Sequence, residues 1–564
     1  MTKLLPLAAA IAMTIGTAHA ADSTAITSQN GSGNIATTVQ TGTNHSATIN
    51  TALGFDSSAS IDQAGDAQTA IINQVGGVAN SSAMVTQSVA SNTATINQEH
   101  MVNTQATVTQ AGEGNNADVN QLHVDDSQAT VQQQGNANLA DIRQYGFGIH
   151  NPAGSTIVQT GNNNTATSDQ DTSTDALSTI VQTGANNIAN VNQMNNAEQS
   201  EVVVNQITNG SLANATQDGS ADSIITINQL NGSIGIANVT QSSGVENMAN
   251  VTQDDNSLNV SAIVAQTGSY NQVTTLQQHA INTSLSVMQN GESNIASVNQ
   301  EHVNDSEAIV NVTGDSNTTT VRQYGFGFHE PASATVTTVG NLNNVNINQD
   351  TSYLAEASVN QAGNGNIALV SQLNESDNAM VFVDQIDGSE SGNVVVAQNQ
   401  AANSTATVMQ SSVNGSAVFV AQGPGSQLNA DVNQTASVDG IVNINQDGVD
   451  QGAVVSQSGT ENMADVYQTA SLNRVTVAQM GDFGAADIDQ TGNNNEGWVN
   501  QSGGEYNDAV LLQQGDDNYA MIEQSGLGQY GAHNLATINQ FGMNDNATIV
   551  QAGGFGNSAT ITQN

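Results

Sequence analysis

The chain has 564 residues, of which only 9% are charged and 3% aromatic, and it has no cysteine. Four basic residues face 49 acidic ones, a formal charge of −45, which excludes nucleic acid binding through phosphate contacts. Without cysteine there are no disulfides to stabilise it, so order has to come from pattern.

Met1 to Ala20 reads as a secretory signal: Lys3 supplies the positive start, Leu4 to Ile15 a short apolar run, and Ala18-His19-Ala20 a small-residue cleavage site. Cleavage is expected between Ala20 and Ala21, leaving residues 21–564 as the mature, exported chain. Nothing downstream approaches the twenty or so apolar residues of a membrane span.

From there on one frame recurs: Gln, then Gly at the third place, Asn at the sixth, Ala at the eighth and Gln again at the twelfth. It appears at Gln29, Gly31, Asn34, Ala36 and Gln40, and at Gln110, Gly112, Asn115, Ala117 and Gln121. It returns at Gln133, Gly135, Asn138, Ala140, Gln144 and at Gln182, Gly184, Asn187, Ala189, Gln193. Later copies are Gln289, Gly291, Asn294, Ala296, Gln300 and Gln361, Gly363, Asn366, Ala368, Gln372. The last two are Gln457, Gly459, Asn462, Ala464, Gln468 and Gln513, Gly515, Asn518, Ala520, Gln524.

Residues spaced by two share one face of a strand, so Asn115, Ala117, Val119 and Gln121 point together and Asn116, Asp118 and Asn120 point away. Each step is one strand and one turn, and two steps make a coil of about 23 residues, a solenoid period. The expected fold is all-β: a β-solenoid of about 22–23 coils, two strands per coil, with two parallel sheets about 10 Å apart. At about 4.8 Å per coil this is roughly 110 Å of rod. Small interior residues suit the narrow gap. Buried Gln and Asn are expected to stack in register, each amide donating to its equivalent one coil along. Thr51, Val312 and Thr338 stand where a Gln is expected and interrupt that ladder.

Longer order is superimposed on the coil. The anchors from Gln121 to Gln182 recur 179 residues later from Gln300 to Gln361, and the spacing returns from Gln501, giving related blocks near 121–193, 300–372 and 501–564. Each block contains one stretched step. The stretched steps carry Tyr145 and Phe147, Tyr324 and Phe326, and Tyr530, and are expected as protruding loops that offer aromatic contacts or simply tolerate added length.

Catalytic and metal motifs are not found. The nine His occur mostly singly, Glu99-His100 and Glu301-His302 read as isolated turn residues, and Asp125-Asp126, Asp254-Asp255 and Asp516-Asp517 lack a calcium-loop spacing. Ser and Thr have no nearby His with an orienting acid. The expectation is a protein that is not an enzyme and needs no metal or cofactor.

The recurrent Gln-x-Gly-x-x-Asn-x-Ala-x-x-x-Gln frame resembles the curlin repeat, found in the secreted subunits of curli, the functional amyloid of Gram-negative biofilms. The resemblance covers nearly all of residues 21–564, although this chain carries far more repeats than an ordinary curli subunit. It implies export through a dedicated outer-membrane pore, a periplasmic chaperone, a nucleator, and growth into cell-surface fibres that serve adhesion and matrix formation. The alternative expectation is a non-polymerising extracellular solenoid, either an adhesin or an ice-binding rod.

Overall fold

A computed structural model describes residues 19–146, 152–325 and 331–564. The chain divides into two compact units, Met1–His279 and Ala280–Asn564. Both are all-β, and together they comprise about 23 parallel coils, a β-solenoid.

In the first unit, alternate strands belong to opposite sheets. One sheet contains Ser82–Ala90, Gln105–Glu113 and Gln128–Gln134; the other contains Thr93–Glu99, Asn116–Leu122 and Leu139–Tyr145. These pairings are parallel and in register: Ala117 faces Ala140, Val119 faces Ile142 and Gln121 faces Gln144. The second unit repeats this arrangement, with Ile367–Leu373 on Asn344–Asp350 in one sheet and Met380–Glu390 on Ala355–Asn364 in the other.

Burial follows the two-residue period. In Asn116–Leu122, Ala117, Val119 and Gln121 are buried while the residues between them are not. The inward set along the coils is therefore Ala, then Val or Ile, then Gln. Side chains no larger than Ile suit two sheets about 10 Å apart, and each fully buried Val or Ile contributes on the order of 1.5–3 kcal/mol.

The turns need positive φ. Gly112 sits at φ +128° and Gly135 at +110°, and a Cβ on Gly112 would lie 1.8 Å from the Gly135 carbonyl oxygen one coil along. Gly predominates in this column, in which the backbones of successive turns press on each other, and Val89 takes one of its places at φ +82°. Where no such approach exists, other residues take the left-handed turn position, as Ala137 (φ +54°) and Asn163 (φ +57°) do.

His19–Ala21 forms a short strand on Thr41–Thr43, so the expected Ala20–Ala21 cleavage point falls within a paired strand. Phe147 and Phe326 lie outside the described residues. Tyr145 and Tyr324 are strand residues, not loop residues. They close Leu139–Tyr145 and Thr318–Tyr324 in register with Leu122 and Glu301, and the chain leaves the sheet only after them.

Candidate functional site

The feature that runs through both units is the glutamine ladder. In one sheet of the first unit, Gln40, Gln63, Gln87, Gln110, Gln133, Gln159 and Gln182 each donate Nε2–H to the Oε1 of the next, at 2.8–3.0 Å. The opposite sheet carries the series through Gln98, Gln121, Gln144 and Gln170 to Gln193 at 2.8–2.9 Å. In the second unit Gln300 donates to Gln323, Gln372 to Gln398, Gln468 to Gln490, and Gln513 to Gln540. Its other sheet joins Gln361 to Gln385, Gln457 to Gln479 and Gln524 to Gln551.

Each amide has a second N–H, which crosses between sheets. Gln133 donates to the Asn116 carbonyl at 3.0 Å, Gln144 to Gln128 at 3.1 Å and Gln182 to Thr165 at 2.9 Å. One side chain thus links its coil to the next and its sheet to the facing one. This is how a primary amide, buried among Ala and Val, avoids the desolvation penalty of an unmade bond.

The asparagines form the expected ladder, Asn138 donating to Asn115 and Asn164 to Asn138 at 3.1 Å, and they bond turn carbonyls as well. Asn115 Nδ2 donates back to Asn92 Oδ1 at 3.2 Å and forward to the Gly135 carbonyl at 2.7 Å, while its backbone N–H also reaches Asn92 Oδ1 at 2.9 Å. Asn138 and Asn164 repeat this with Gly161 and Gly184, and Asn187 donates to the Thr208 carbonyl at 2.7 Å. Asn clamps the corner of the coil, not the inside of a strand. Asn294, Asn462 and Asn518 do the same in the second unit, on Gly314, Gly481 and Gly542.

The frame is not tied to one corner. Gln29 and Gln40 step between the sheets in the opposite sense to Gln110 and Gln121, and Gln513 and Gln524 step oppositely to Gln289 and Gln300. In the first unit the Asn column ends at Asn187, passes to Ser211, and resumes at the other corner with Asn247 and Asn271. The two halves of a coil are chemically interchangeable.

Substitutions in the ladder fall where the sequence placed them. Thr51 Oγ1 reaches Gln74 only at 3.5 Å. Val312 and Thr338 occupy consecutive positions between Gln289 and Gln361, and Thr338 Oγ1 and Gln361 Oε1 are buried with no hydrogen-bond partner among the described residues.

The outward faces are polar and mixed. One outward row of the first unit reads Thr48, Ile71, Thr95, Asp118, Asp141, Thr167, which is not a regular threonine array. Short asparagine ladders do form there: Asn73 donates to Asn97 at 2.8 Å and Asn97 to Asn120 at 2.7 Å. Acidic turn residues accept from the preceding coil, as Asp126 does from Asn103 at 3.0 Å and Asp517 from Asn494 at 2.7 Å. Burial raises the Asp118 carboxyl above the usual aspartate range, and repulsion from Asp141 adds to it. Asp169, Asp487 and Asp489 are also raised, chiefly by burial.

Histidines that look isolated in the sequence meet across one coil. His100 and His123 stack at 4.9 Å with their rings 4° from parallel, and His302 packs edge-on to Tyr324 at 5.7 Å. Tyr324 also lies under Arg322, 4.7 Å from its ring centre. Near the end of the second unit Phe483 stacks on Tyr506 at 4.8 Å, and Tyr506 meets Tyr530 and His533 at 6.2 and 5.0 Å. A 23-residue spacing of ring side chains was the signal for the His100–His123 contact. Among the described residues no group of three or more His, Cys, Asp or Glu is placed to hold a metal ion, and no helix is long and apolar enough to cross a membrane.

No protein-family profile matches the chain, and no curated protein is significantly similar to it.

Proposed function

We propose that this chain is a secreted, curlin-like structural protein that forms amyloid surface fibres for cell adhesion and biofilm matrix, by stacking the end coil of one molecule on the end coil of another. The observation that carries this reading is the polarity of the ladder. Each coil offers Nε2–H on one side and Oε1 on the other, so any two coils are complementary without a dedicated interface.

The end coils support it. Ala559, Ile561 and Gln563 in Ser558–Gln563 are only partly buried, whereas their register partners Ala536, Ile538 and Gln540 are fully buried. At the other end Thr24–Ser32 is exposed along almost its whole length. A strand edge that carries unmet backbone groups and an apolar inner row recruits another strand. The charge of −45 opposes that contact at low salt and ceases to do so when screened. Export through a curli-type pore, with chaperone and nucleator partners, belongs to the same proposal.

The test is light scattering of residues 21–564 through a salt titration, with electron microscopy and fibre diffraction of the product. Seedable fibres with a reflection near 4.8 Å along their axis are expected. A monomer that persists at every salt concentration overturns the proposal.

A further inference from the structure

On the outward face of one sheet of the second unit, five successive strands build a shallow groove of about 380 Å³. Two rows run along it in register. The first reads Val395, Phe419, Asn443, Asp465, Asp487, and the second Ala397, Ala421, Asn445, Tyr467, Asp489. Phe419 and Tyr467 stand at opposite corners and are both exposed, at 39% and 41%. Asn443 and Asn445 stand on the strand between them, and the small side chains of Ala397 and Ala421 keep the start of the groove open.

The groove has two chemically distinct ends. Its start is apolar, with Val395, Ala397 and Phe419; its far end carries Asp465 and Asp487 one coil apart. Asn443 Nδ2 donates to Asp465 Oδ1 at 2.5 Å, which holds that carboxylate toward the central strand of the groove. Desolvation raises the carboxyls of Asp487 and Asp489, although Asp487 remains exposed. Such carboxylates favour a cation that brings its own apolar surface.

The spacing suits such a cation. Phe419 and Tyr467 are two coil steps and two residues apart, about 12 Å on the diagonal from strand spacing and rise. A cation seated above the midpoint lies about 6 Å from each of these strand positions, so both side chains can bring a ring within cation–ring range. Asn443 and Asn445 are the residues of the strand at that midpoint, and Asp465 follows Asn443 in its row.

We propose that this groove binds a methylated ammonium group on a short apolar chain, with the cation between Phe419 and Tyr467 and beside Asp465, and the chain along Ala421, Ala397 and Val395. The site lies on an outward face and does not depend on the inner ladder or on polymerisation.

Saturation-transfer NMR of choline with the full-length chain at low ionic strength tests it. 3,3-Dimethyl-1-butanol, the neutral isostere, serves as the comparison ligand. Transfer to the choline methyl groups is expected, with clearly weaker binding of the isostere. Tyr467→Leu and Phe419→Leu, which keep apolar bulk and remove the ring, should each weaken choline by about two- to thirtyfold, the fold-change equivalent of one cation–ring contact. Asp465→Asn should weaken it as well, and Trp498→Leu on the opposite sheet should leave it unchanged. Phe419→Leu and Tyr467→Leu are on different strands, so one remains informative if the other fails to fold. Three results overturn the proposal: no transfer, equal binding of the neutral isostere, or choline binding that both ring variants leave intact. The last would mean diffuse counterion attraction to an acidic surface.

Discussion

Thr338 and Gln361 occupy one register step of the same sheet, and the hydroxyl of the first and the carbonyl oxygen of the second are both buried without a partner among the described residues. With Val312 one step earlier, the ladder between Gln289 and Gln361 lacks two consecutive amides. Elsewhere Gln fills this position in the same register, so there is room for it.

Repairing the gap should therefore stabilise the second unit. Val312→Gln combined with Thr338→Gln is expected to add about 1–3 kcal/mol, from new bonds and a relieved orphan oxygen. Thr338→Gln alone should give less, because its own Oε1 then faces Val312. Urea denaturation midpoints at unchanged slope distinguish the two.

Removing a rung should do the reverse. Gln133→Ala leaves Gln110 Nε2 and Gln159 Oε1 facing a void and frees the Asn116 carbonyl. A loss of about 2–5 kcal/mol is expected from the orphaned partners and the cavity. Hydrogen exchange should accelerate first in Gln105–Glu113, Gln128–Gln134 and Ala153–Asn162, the strands that share that rung.

Two turn glycines should respond differently to the same change. A Cβ on Gly135 lies 2.0 Å from the Gly161 carbonyl oxygen, whereas one on Gly114 meets nothing within 4 Å. Gly114→Ala should cost about 1–2 kcal/mol for its left-handed φ of +68°. Gly135→Ala must also displace backbone and should cost more, and thermal denaturation of the two variants side by side checks the order.

Acidification should stabilise the fold over a defined window. Asp118, Asp169, Asp487 and Asp489 have raised carboxyls, so the folded chain holds these protons more tightly than the unfolded chain does. Stability is then lost as pH rises from the usual aspartate value, about 3.9, through the raised folded values, and is regained on acidification. Asp118→Asn and Asp487→Asn should raise the melting temperature at pH 7 and leave it little changed below about pH 4. A melting temperature that falls steadily on acidification from pH 7 would contradict this.

Much of the coil was legible in the sequence, because alternation and register are one-dimensional signals. The inward set Asn115, Ala117, Val119 and Gln121 and the gaps at Val312 and Thr338 come directly from spacing. The sequence period identifies a residue's neighbour along the stack but not the strand it faces, so the second bond of Gln133, to the Asn116 carbonyl, was hidden. Asn115 shares the inward face yet stands one residue before the strand, where the nearest acceptors are turn carbonyls. Tyr145 and Tyr324 read as loop residues because Gly146 and Gly325 follow them, but the strand needs one more residue to complete its register. His100 and His123 read as separate because metal motifs are sought at local spacing, whereas in a solenoid a neighbour lies a full coil away.

The interchangeable coil halves have an evolutionary consequence. Since most coils meet their neighbours through the same amides, excising or inserting a whole coil by recombination leaves two surfaces that still fit. The anchors from Gln121 and those from Gln300, offset by 179 residues, are what duplication of such a cassette leaves behind. Reach can therefore change in whole-coil increments without a new interface, while Gly columns and amide rungs need only be kept in step.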